Sequence, residues 1–121
     1  MDNPRLPYLA EKAHKLPLRP GVYIMKNRAG DIIYIGKAKA LKNRVSSYFR
    51  AVEKHLPKVY QMVSHVHDFD YIVTDSEFEA LVLECSMIKL HSPKYNILLK
   101  DDKTYPYLKI TVSAAAARVP L

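Results

Sequence analysis

The sequence predicts a small α/β domain with a mostly antiparallel central sheet flanked by helices. Three observations carry this. Short β-branched and aromatic runs surround an Asn/Gly-bearing loop near residue 28, which is a hairpin signal. Apolar residues recur at helical spacing in three later segments. The elements then follow in the order strand, strand, helix, helix, strand, helix, with extended segments last.

Residues 1–20 hold four prolines, Pro4, Pro7, Pro17 and Pro20. Between them, 8–15 is expected as a short helix stopped by Pro17 and Pro20, packed on the outside of the core. Residues 21–26 read as the first strand, 27–30 as the turn and 31–36 as the second strand. A two- or four-residue loop sets Tyr23 directly opposite Tyr34, on one face with Cβ atoms ~5 Å apart; a three-residue loop breaks that pairing. Residues 37–50 follow as an amphipathic helix with Leu41, Val45, Tyr48 and Phe49 as its apolar stripe. A second helix is expected over 56–66, with Val59, Met62, Val63 and Val66 at helical spacing, and a third strand over 69–74.

Asp75, Ser76 and Glu77 suit a helix start, and 78–91 is the long helix that follows. Phe78, Leu81, Val82, Cys85 and Ile88 line one of its faces, and Leu83, Met87 and Leu90 another. Apolar surface on both sides predicts a helix buried in the middle of the domain. Pro93 ends it; 95–98 reads as extended, 101–103 as a polar turn and 107–112 as a last strand. Residues 1–112 are thus expected as one domain, with 113–121 a patternless tail of linker or appended character.

The 121 residues (13.9 kDa) suit one domain, and 49% hydrophobic with 26% charged residues excludes disorder as the default state. The single cysteine, Cys85, excludes an internal disulfide and a Cys-rich zinc module, and is expected to be a buried small hydrophobe. No apolar run reaches the ~18 residues of a membrane span, and the start lacks a secretory pattern, so a cytoplasmic chain is expected. A net charge of +7 and a pI near 9.5 point to a polyanionic partner.

Three groups of residues are candidates for chemistry. Glu84 lies at the edge of an apolar helix face, where a carboxylate wants either a salt bridge or a hard divalent cation. Tyr23 and Tyr34 are either cross-strand packing or, beside Lys37, phenols whose pKa a cation lowers. Lys37 and Arg44 lie two helical turns apart if both are helical, and form either a solvated basic face or a phosphate clamp. His65 and His67 point apart if helical, and with His14, His55 and His91 they make no metal spacing. Phosphate-loop, nucleophile-elbow and dinucleotide motifs are missing from the sequence.

Five ordered blocks then carry a resemblance: GVY at 21–23 with YIG at 34–36, GKAK at 36–39, NRVSSYF at 43–49, EFEALVLE at 77–84 and PKYNILLKDD at 93–102. Together they resemble the GIY-YIG nuclease family over roughly 15–110, with Val where the family name has Ile. LRPGVY, YIGKAK and YNILLKDDK resemble in particular the branch serving bacterial nucleotide excision repair. The resemblance implies a GIY-YIG-like fold and a divalent-metal-dependent DNA endonuclease that incises 3′ to a lesion. Its implied cofactor is Mg²⁺ or Mn²⁺, and its implied partners are damaged duplex DNA and UvrB, with UvrA loading the lesion.

By position, the resemblance makes Tyr23, Tyr34, Lys37, Arg44, Glu84 and Asn96 catalytic. Glu84 is the metal ligand, preferred over Glu79 because it lies twelve residues before Asn96. Lys37, Lys39, Lys42 and Arg44 contact DNA, and Gly36 allows a tight backbone turn beside the site. Hairpin and long helix are expected to bring Tyr23, Tyr34 and Glu84 to one side of the sheet. Two alternatives stay open: a non-catalytic DNA-binding module, and a nuclease of the same family acting on branched or foreign DNA.

Overall fold

A computed structural model describes residues 3–100. The expectations for 101–121 lie outside the described residues. The elements are α1 (Leu6–His14), β1 (Gly21–Lys26), β2 (Ile32–Ala38), α2 (Leu41–Tyr48), a single 3₁₀ turn (Val52–Lys54), α3 (Pro57–His65), β3 (Asp68–Val73), α4 (Glu77–His91) and α5 (Lys94–Lys100). Among the described residues the sheet has three strands in the order β2-β1-β3, antiparallel throughout. The predicted class and the order of the first six elements stand.

The hairpin register differs from the simplest expectation. Tyr23 pairs with Gly36 and Met25 with Tyr34, with an irregularity between Met25 and Lys26. The turn spans five residues, 27–31, and the irregularity shifts the ladder, so the two tyrosines sit diagonally rather than opposite. They keep the same face because a two-residue offset preserves side-chain alternation. The second strand also runs two residues further than expected, which places Lys37 in β2 and not on the helix of Arg44.

Alternation along β1 and β2 builds two separate cores. Tyr23, Met25 and Tyr34 join Leu41, Val45, Tyr48, Met62, Val63 and Phe69 on one face, under α1, α2 and α3. Leu9 and Ala13 of α1 are fully buried in this cluster, so the proline-rich lead-in is part of the core rather than outside it. It also caps α2: the carbonyls of Arg19 and Pro17 accept from the N–H groups of Leu41 and Lys42 (2.9 and 3.1 Å). These would otherwise be orphan donors of a helix start without a side-chain cap.

On the other face Val22, Ile24, Ile35 and Ala80 form a small cluster, with Leu83, Met87 and Ile88 packed against it. This is the seat of α4, whose Ser76 cap accepts from the Glu79 N–H at 3.1 Å. The expectation of a centrally buried α4 is overturned. Only Ala80 of this helix is buried, while Phe78 and Leu90 are 71% and 77% exposed and Cys85 is exposed as well. One sheet face accepts one stripe of a helix, and the opposite apolar stripe has no second layer above it among the described residues. Residues 95–98 are helical within α5, not extended, and Tyr95 is buried by that turn of the chain.

Candidate active site

Three tyrosines meet on the α1–α3 face. The hydroxyls of Tyr23 and Tyr48 lie 2.7 Å apart, and the Tyr34 ring is 6.2 Å from that of Tyr23 and 6.4 Å from that of Tyr48. The Arg44 guanidinium lies 5.0 Å from the Tyr48 ring centre, a cation–π distance. Tyr48 was assigned above only to the apolar stripe of α2. Its signal was its place four residues after Arg44, which on a helix puts the two side chains on one face.

Gly36 does not turn the chain; it is a strand residue paired with Tyr23. Its role is steric, because a Cβ there would overlap the Tyr23 ring and hydroxyl. Burial pushes the Tyr23 pKa well above the ordinary phenol value, and its neighbours Tyr48 and Tyr34 push the same way. Arg44 is the group that pulls it down, and it does not prevail. The expectation that Lys37 depresses the tyrosine pKa is not met at Tyr23: desolvation outweighs the nearby cation there, and that cation is Arg44. Desolvation also works against the Arg44 charge, but Tyr23 and Tyr48 outweigh it and hold the guanidinium pKa above its ordinary value.

Glu84 and Asn96 approach from elsewhere. Because α4 covers the other face, Glu84 is not on the tyrosine side of the sheet; it reaches the outer edge of β2, where its Oε2 accepts from the Lys37 N–H at 2.9 Å. Two residues back, the Asn96 amide accepts from the Ile35 N–H (2.7 Å) and donates to the Ile35 carbonyl (2.8 Å). Side chains of α4 and α5 thereby complete an edge that would otherwise present unpaired backbone groups. The Gly36–Lys37 peptide joins the two halves, with the Tyr23 ring against Gly36 and the Glu84 carboxylate on the Lys37 N–H.

Burial raises the Glu84 pKa, opposed by the Lys37 N–H and the Lys37 charge. The rival Glu79 is occupied at the helix start, where its Oε1 accepts from the Asp75 N–H at 2.8 Å. Among the described residues no cluster of three or more His, Cys, Asp or Glu forms a metal cage. The donor chemistry therefore offers a hard cation one carboxylate, with Oε2 on a backbone N–H and no salt bridge among the described residues. That fits an ion that completes its shell with water and phosphate. Lys37 and Lys39 are exposed, Lys42 is half-buried, and Arg44 reaches the surface beside the tyrosines.

Fold and site define a small nuclease-type domain: buried phenols and a guanidinium on one face of a sheet, with a lone carboxylate at its edge. The chain belongs to the UvrC-like GIY-YIG domain family, whose model matches residues 19–97. It is 61% identical over 111 residues to UvrABC system protein C of Thermoanaerobacter sp. (strain X514), covering 92% of this chain and 18% of that protein. The corresponding protein of Acetivibrio thermocellus is 57% identical over the same length. The chain spans less than a fifth of these relatives. The N-terminal endonuclease domain of UvrC from Thermotoga maritima, solved with magnesium as its catalytic divalent cation, is 41% identical with a TM-score of 0.65, covering 73% of this chain and 94% of that one. The fold is thus that of a GIY-YIG endonuclease domain. No helix of the described residues is long and apolar enough to cross a membrane.

Proposed function

We propose that this chain is the metal-dependent nuclease domain of a longer UvrC-type protein, and that it hydrolyses a phosphodiester 3′ to a lesion during nucleotide excision repair. The observation that carries this is the Tyr23–Tyr48 hydroxyl pair under Arg44, one peptide away from the Glu84 carboxylate. Duplex DNA presented by UvrB after loading by UvrA is the substrate assembly, and the cytoplasm is the compartment.

With its pKa raised, Tyr23 keeps its proton at neutral pH. It therefore acts as a relay, receiving a proton from the attacking water while passing its own to Tyr48 over the 2.7 Å contact, and Tyr48 gives up its hydroxyl proton to solvent in the same transfer. Arg44 stabilises charge on these oxygens and on a non-bridging phosphate oxygen. Tyr34 walls the same pocket. Lys37, with Lys39 and Lys42, draws in the DNA backbone, and Asn96 holds the β2 edge so that Gly36 and Lys37 keep their places. Glu84 would hold Mg²⁺ or Mn²⁺, which when bound neutralises charge on the phosphate and on the leaving 3′ oxygen.

The test is incision of a lesion-bearing duplex preloaded with UvrB, comparing the chain, alone and within its full-length protein, with Glu84→Gln. A metal-dependent 3′ cut that falls at least about 100-fold in the variant, with DNA affinity retained, is the expected result. Undiminished cutting by Glu84→Gln would remove the metal assignment. Equal cutting of undamaged DNA without UvrB would favour a role on other DNA.

A further inference from the structure

At the opposite end of the sheet from the Gly36–Tyr23 pair lies a cleft of about 660 Å³ lined by the chain start, the β1–β2 turn and the α3–β3 junction. It begins about 13 Å along β1 from Tyr23, at four residues of strand rise. Its ionisable lining residues are Arg5, Arg28, His65 and His67, with no carboxylate among them. The acids flanking it are Asp68 and Asp70 on β3, paired with Lys12 at 2.7 Å and Lys26 at 2.5 Å, and the exposed Asp31 at the end of the turn; Asp68 also feels the Arg5 charge.

The backbone builds this basic concavity. Val66 is extended (φ −72°, ψ 123°), so His65 and His67 do not diverge as on a helix; an extended i, i+2 pair falls on one side. The C-terminal end of α3 would by itself present carbonyl oxygens and repel an anion. The buried Asn3 amide occupies two of the carbonyls there by donating to those of Val63 and Val66 (2.8 and 2.9 Å). Arg5 is anchored through its Nε–H to the His67 carbonyl at 2.9 Å and lies 4.2 Å over the Tyr8 ring. Arg28 sits exposed in the turn with no hydrogen-bond or ion-pair partner among the described residues.

We infer that this cleft is a second phosphate-binding site that grips the DNA backbone a few nucleotides from the cut. The inference rests on the nuclease reading above. A fixed arginine and a free arginine, with His67 and His65 (its ring stacked 6.4 Å from that of Tyr95) in the same lining and no carboxylate in it, match phosphate oxygens, and the spacing from Tyr23 suits one duplex touching both places.

The test is fluorescence anisotropy of a labelled undamaged duplex against salt, using the whole chain and Arg28→Glu, Arg28→Ala with His67→Gln, and Lys89→Glu and Lys89→Ala on α4 as the respective controls of equal charge change. Circular dichroism melts confirm that the exposed turn change leaves the fold intact. The expected result is roughly 3- to 10-fold weaker binding for the two cleft variants, a salt slope reduced by about one to two, and little change for either Lys89 variant. Wild-type affinity and slope in Arg28→Glu would overturn the site and leave the nuclease reading standing, since that reading turns on Glu84. Equal loss in the matching Lys89 variants would reduce the effect to net charge and also overturn it. A wild-type chain without DNA affinity would overturn the second site and leave the nuclease reading to the UvrB-loaded incision test. Tighter binding of an oligo-glutamate peptide than of DNA, lost in Arg28→Glu, would reassign the cleft to an acidic protein segment.

Discussion

The two faces of the sheet are built to different standards. The α1–α3 face carries a large core in which Tyr23 is 1% exposed and its hydroxyl is satisfied by Tyr48. The α4 face carries four buried residues and leaves Phe78, Val82 and Leu90 open to solvent. The tyrosine half of the site is therefore part of what makes the domain fold, whereas the carboxylate half is mounted on a lightly held helix. Changes on the first face should register in stability and chemistry together. Changes on the second should separate the two.

The largest expected effect is Gly36→Ala, because the new Cβ has no space beside the Tyr23 ring. It should cost about 3 kcal/mol in urea unfolding and displace the Tyr23 hydroxyl, lowering incision as well. A variant of wild-type stability would show the tyrosine face to be looser than described. Next is Asn96→Ala, which strips both partners from the Ile35 peptide groups at the β2 edge. A loss of about 2 kcal/mol is expected, with faster amide exchange at Ile35 and an unchanged β1–β3 ladder. Uniform acceleration across the sheet would mean that the edge and the tyrosine core are one unit.

The smallest effect concerns Glu84 and pH. Its carboxyl pKa is raised in the folded domain by burial, so folding favours the protonated form. Its contribution to stability is present below the unfolded value of about 4.5 and is lost as pH rises through the folded value. Glu84→Gln should therefore gain stability relative to wild type between pH 4 and pH 7, while losing incision. Parallel stability profiles would break the claim that this face trades stability for chemistry.

Much of the fold was legible because it follows from local period. β1 was placed at its actual bounds by a β-branched run between Pro20 and Asn27, and the α4 start to within one residue by Asp75, Ser76 and Glu77 near a helix dipole. The shortfalls have physical causes. The amphipathic pattern of α4 has two apolar stripes, and periodicity alone does not say which stripe meets a sheet. That is why Cys85 was placed inside and found outside. Residues 95–98 carry a short apolar run that suits strand or helix equally, and docking through Asn96 settles it as α5.

By itself the sequence determined the element order, the tyrosine-bearing hairpin, the basic bias and the family, because propensity, spacing and motif are local properties of the chain. Only the tertiary structure decided that Tyr48 joins Tyr23, that Gly36 is an absence of side chain rather than a turn, and that Glu84 reaches the site around the edge of β2 from the other face. It alone set His65 and His67 into one cleft with Arg5 and Arg28. Each of these depends on strand register, on which helix stripe is buried, or on a contact across more than twenty residues, and such distances are set by packing the whole chain at once.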